Sequence, residues 1–95
     1  MEINIYQKVG SFAENKDIAK KIRIKEILPI LDANSDIILD FKDVESATQS
    51  FIHALISDVI RKHGIEVLDK ITFKNCNITV KKIIEIVIEY MQDHT

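Results

Sequence analysis

A single cysteine, Cys76, excludes an internal disulfide and agrees with a reducing compartment. Glycine is nearly as scarce. Gly10 and Gly64 stand far apart, so no glycine-rich phosphate loop is present, and nucleotide binding by the chain itself is not expected. His53, His63 and His94 lack the close pairing of a zinc site, and one cysteine adds little to them, so no metal and no other cofactor is implied. No apolar run exceeds a few residues, far short of the roughly 20 needed to span a bilayer, and no signal-like segment opens the chain. A cytoplasmic location is expected. Excess positive charge is missing too. The formal net charge is -2 and the pI about 5.9, which argues against nucleic acid and anionic membrane as partners.

What remains is an ordinary globular balance of 46% apolar and 29% charged residues. At 95 residues the chain has room for one core, so residues 1–95 are expected to form a single domain. "EINIY" alternates like a half-buried strand, with Ile3 and Ile5 inward, and is expected to run on toward Val9 before Gly10 turns the chain. Asn15 is placed to cap a first helix. Ile18, Ile22, Ile27 and Leu31 lie near one face of that helix, and Lys16, Lys20, Lys21, Arg23 and Lys25 are mostly outward. Pro29 should kink or end the helix near Leu28, ahead of the polar loop "DANSD".

"IILDF", Ile37 to Phe41, has the pattern of a central strand covered on both faces. A second helix then begins at one of two competing starts: Ser46, at capping-box spacing from Gln49, or Thr48. Phe51, Ile52, Leu55, Ile56, Val59 and Ile60 form its core face, and Gly64 ends it, with His63 in the last turn favoured by the helix dipole. A third strand is centred on Ile71 to Phe73. A third helix begins near Thr79 with Val80, Ile83, Ile84, Val87, Ile88 and Met91 inward. The order strand, helix, strand, helix, strand, helix predicts a small α/β domain with a mainly parallel or mixed sheet and helices packed on it.

Candidate chemistry concentrates at the second helix. Ser50 and His53 share a helical face, but no orienting acid and no nucleophile-elbow sequence accompanies them, so the chain is not expected to be an enzyme. Ser50, Ala54, Ser57 and Arg61 trace a stripe of mostly small residues opposite Phe51, Leu55 and Ile56. Such a stripe lets a partner approach closely and leaves the Ser50 hydroxyl at its amino-terminal end. Thr48, Gln49 and His53 flank it and complete the expected partner-binding set.

The segment "DIILDFKDVESATQSFIHALI" resembles the centre of STAS domains, the fold shared by anti-sigma-factor antagonists and the cytoplasmic tails of sulphate transporters. It looks closest to small bacterial STAS-like proteins, in which a strand ending in "LDF" and a valine precedes a "TQSF" helix start; "VGSFAENKDIAKKIR" extends the resemblance toward the amino terminus. In the antagonists, a serine at the start of the equivalent helix is phosphorylated by a histidine-kinase-like ATPase, which switches partner binding. Ungapped counting from "ILDFKDV" puts Ser50 at that position. Where antagonists commonly read Asp-Ser-Ser-Gly, this chain reads Thr48, Gln49, Ser50, Phe51, and His53 and Ala54 stand where STAS-like relatives often carry acids. The resemblance thus implies a non-enzymatic regulatory module with Ser50 as its phosphorylation site and a histidine-kinase-like ATPase or switch protein as partner. The alternative is an assembly module that self-associates, as a homodimer for example, with Ser50 serving only the helix start.

Overall fold

The computed structural model describes residues 1–93, the side chain of Asp93 excepted, so His94 lies outside the described residues. Three strands, β1 (Glu2–Asn4), β3 (Ile37–Asp40) and β5 (Ile71–Lys74), form a sheet in the order β1-β3-β5, parallel throughout. β2 (Phe12–Ala13) and β4 (Ser46–Ala47) form a separate short parallel pair. Five helices connect these elements: α1 (Ile5–Val9), α2 (Lys16–Ile22), α3 (Leu28–Asp32), α4 (Gln49–His63) and α5 (Ile78–Asp93). A π-helical turn, Arg23–Ile27, joins α2 to α3, and a 3-10 helix, Ile65–Lys70, leads into β5. The α/β class and the parallel sheet agree with the pattern in the sequence.

Several local expectations are corrected. The first strand stops at Asn4 and does not run toward Val9. The Asn4 side chain accepts a hydrogen bond from the Gln7 amide and caps α1, so Ile5 reaches the core from a helix. Asn15 does cap α2, accepting from the amides of Asp17 and Ile18. Pro29 does not end the helical run. In the π turn the Leu28 amide reaches back to the Arg23 carbonyl, and Pro29 then falls in the first turn of α3, where a missing amide hydrogen leaves no bond unmade. Arg23, expected outward with the lysines, is turned inward instead. Its side chain is only 11% exposed.

Sheet register explains a further correction. Ile3, Ile37, Leu39 and Ile71 share the buried face, whereas Glu2, Asn4, Ile38, Asp40, Thr72 and Lys74 share the other and are exposed or half-buried. β3 is central, as expected, yet it is covered on one face only. Lys74 Nζ reaches Glu2 Oε1 at 2.9 Å, and because β3 lies between their strands this ion pair must cross the central strand.

Beneath the buried face, Phe51, Ile52, Leu55, Ile56, Val59 and Ile60 are at most 1% exposed. α4 packs against both α2 and α5, and Val80, Ile84, Val87 and Met91 complete the core from α5. Gly64 has φ of +86° and its amide donates to the Ile60 carbonyl, which ends α4 where a side-chain-bearing residue would be strained.

Candidate functional site

The start of α4 is fixed from three directions. Thr48 Oγ1 accepts from the Phe51 amide at 3.1 Å, which makes Thr48, and not Ser46, the N-cap. The Thr48 amide donates to the Ala13 carbonyl at 3.0 Å, tying the cap to β2. Ser46 belongs to β4, paired with Phe12, so its capping-box role is lost to strand pairing. Asn77 supplies the third tether: its Nδ2 donates to the Glu45 carbonyl at 2.9 Å, while its Oδ1 accepts from the Val80 amide and caps α5.

On this frame Ser50 is the second residue of α4 and exposed, while Phe51 beside it is fully buried. Gln49, Ser50, His53 and Ala54 line an open cleft of about 520 Å³ together with Lys16 from α2 and Ile86, Val87 and Tyr90 from α5. Thr48 sits behind it as the cap. Ser57 corrects the expected exposed stripe: it is 2% exposed, because α4 is flanked by helices rather than open along its length, and it cannot meet a partner directly. Arg61 is exposed, yet it lies outside the cleft lining and pairs with Asp58 at 2.7 Å.

His53 is half-buried, with Nδ1 at 3.5 Å from Ser57 Oγ and its ring edge-on to Tyr90, centroids 6.4 Å apart. No hydrogen bond joins it to Ser50 among the described residues. Arg23 Nη1 donates to the Ala54 carbonyl at 2.7 Å and lies 3.3 Å from Asp58 Oδ2, so the inward arginine of the π turn holds the middle of α4 from behind the cleft. At the far end of α4, Asp32 pairs with Lys62 at 3.0 Å and with His63 at 2.9 Å. Hydrogen bonding from Lys62, then from His63, holds the Asp32 carboxyl below its ordinary range. Cys76 is half-buried, and burial, followed by the charge of Asp40, pushes its thiol up and away from reactivity.

Lys16, Ile86 and Tyr90 were not part of the expected site. Ile86 carried a signal, for it interrupts the phase of Val80, Ile83, Ile84, Val87 and Met91 and so had to lie off the buried face of α5. Lys16 carried none, since its place depends on how α2 meets α4. Among the described residues no group of three or more metal-ligating side chains is gathered, and no helix is long and apolar enough to cross a membrane.

A parallel sheet with helices packed on one face and a capped, tethered helix start defines the class. The family model described as STAS-like domain of unknown function (DUF4325) matches residues 18–81, and the chain belongs to this family. The matched region runs from α2 into α5 and includes Ser50 and the α4 side of the cleft, while Lys16 and the α5 lining residues Ile86, Val87 and Tyr90 lie outside it. Neither a curated protein nor a solved structure matches the chain.

Proposed function

We propose that the chain is a non-enzymatic regulatory module that binds a protein partner through the first turns of α4, with Ser50 as the point of control. One observation carries the reading: Ser50 is exposed at the second position of α4 while Phe51, next to it, is wholly buried. A group added to Ser50 therefore alters the surface and leaves the core alone. Phosphate there adds roughly 1.5 to 2 negative charges beside amides that favour an anion, so the fold tolerates it. A partner that packs against a neutral hydroxyl meets a hydrated dianion instead. The resemblance to anti-sigma-factor antagonists supports a histidine-kinase-like ATPase or switch protein as that partner.

The test is a pull-down from the native cell, with mass spectrometry for phosphate at Ser50, followed by binding of the captured ATPase to the wild-type, Ser50→Ala and Ser50→Asp chains. Binding kept by Ser50→Ala and lost by Ser50→Asp supports the reading. The alternative, self-association without a switch, draws on the exposed side chains of Phe12 (58%) and Ile78 (75%). Concentration-dependent dimerisation by sedimentation, with Ser50→Asp indifferent, favours it instead.

A further inference from the structure

We infer that the cleft between α4 and α5 is a docking groove for a short acidic segment of the protein partner, taking an apolar anchor side chain and a carboxylate. This rests on the partner-binding reading of α4 and names the chemistry of what α4 binds. Ala54 and Val87 line the cleft with small or buried side chains, and Ile86 and Tyr90 add apolar surface that stays 44% and 52% exposed. Exposed aromatic and branched apolar side chains beside a concave surface are the usual anchors of an interface.

Size limits the occupant. Ile86 to Tyr90 on α5, and Ser50 to Ala54 on α4, are each one helical turn, about 6 Å of rise, so the groove holds one or two side chains and not the length of a helix. Charge selects among such occupants. Acidic residues outnumber basic ones in the chain, 15 to 13, yet among the described residues no acid lines the cleft, which carries Lys16 and His53. Lys16 makes no ion pair among the described residues. The amino-terminal end of α4 adds the positive end of its dipole to the same side. A carboxylate is favoured there and an ammonium group is not. Phosphate on Ser50 would occupy that same field, so modification and the acidic segment compete for one patch of positive potential.

Two synthetic helix-forming peptides of about 15 residues provide the probe. Each carries one leucine, with a glutamate in one peptide and a lysine in the other a helical turn away. Titrated into the isotope-labelled chain and followed by NMR, the glutamate peptide should shift the amides of Gln49, Ser50, His53, Ile86 and Tyr90. It should bind at least about tenfold tighter than its lysine twin, a 1.4 kcal/mol preference. Lys16→Glu should abolish that preference, and Ile86→Ser should weaken both peptides while the chain stays folded. Equal affinity for the two peptides, shifts centred elsewhere, or no shifts at millimolar peptide overturn the proposal. Concentration-dependent shifts at these residues in the chain alone overturn it too, by making a second copy the occupant. Native-partner binding that responds to Ser50→Asp but not to Ile86→Ser overturns the groove and leaves the reading of α4 standing; indifference to both removes the reading as well.

Discussion

The two sides of α4 are built for opposite purposes within the same turns. Phe51, Leu55, Ile56 and Val59 are wholly buried, and their positions are dictated by the sheet above them. Ser50, Gln49 and His53 face the cleft and are set by hydrogen bonds at the helix start and by the helices alongside. The inner side answers to volume, the outer side to charge and shape. Change on one side is expected to leave the other intact, and that separability is what a surface switch requires.

The largest effect belongs to the inner side. Leu55→Ala should cost ~2–5 kcal/mol in urea unfolding, as truncation of a fully buried leucine does. A loss below about half a kcal/mol would remove Leu55 from the core and end the contrast between the two sides.

The helix start sharpens the comparison because it serves both sides. Thr48→Ala should cost ~0.5–2 kcal/mol through the lost bond to the Phe51 amide. Ser46→Ala should cost less, since Ser46 makes no cap, and a larger loss at Ser46 than at Thr48 would relocate the helix start.

A smaller effect is expected at the carboxyl end of α4. Asp32 is exposed, and its carboxyl is depressed by Lys62 and His63. A depressed carboxyl favours the folded state in its ionised form. Its contribution is therefore in place above the ordinary carboxyl pKa of about 4 and fades as pH falls through the lower folded value. Unfolding midpoints of the wild type and Asp32→Asn should differ slightly near pH 7 and converge below about pH 4. A difference that persists undiminished in acid would mean that the ion pairs are not its source.

Periodicity made the inner side legible. The apolar residues of α4 and α5 repeat at three- and four-residue steps, and those assigned to the core of α4 are buried. Alternation was less secure. Ile3 and Ile5 read as one strand, but the Asn4 cap starts a helix between them, a local hydrogen bond prevailing over an ambiguous short pattern. Arg23 was misread because a π turn shifts the helical register, and no residue type announces it; through the same turn the helical run continues past Pro29. At the outer side, Gln49, Ser50, His53 and Ala54 come together in the cleft because they neighbour one another on one helix. Lys16, Ile86 and Tyr90 join them only through tertiary packing, and Ser57 was misplaced because helical spacing gives a face without saying what covers it.

The central claim is that negative charge at Ser50 changes what α4 binds and not how it folds. Its most direct test measures two quantities on Ser50→Asp: the unfolding free energy, and the affinity for whichever protein the wild-type chain captures. Stability should stay within about half a kcal/mol of wild type, while affinity falls at least tenfold, about 1.4 kcal/mol, with Ser50→Ala binding almost normally. An unfolded Ser50→Asp chain would make Ser50 a structural residue, and a folded one that binds like the wild type would contradict the switch.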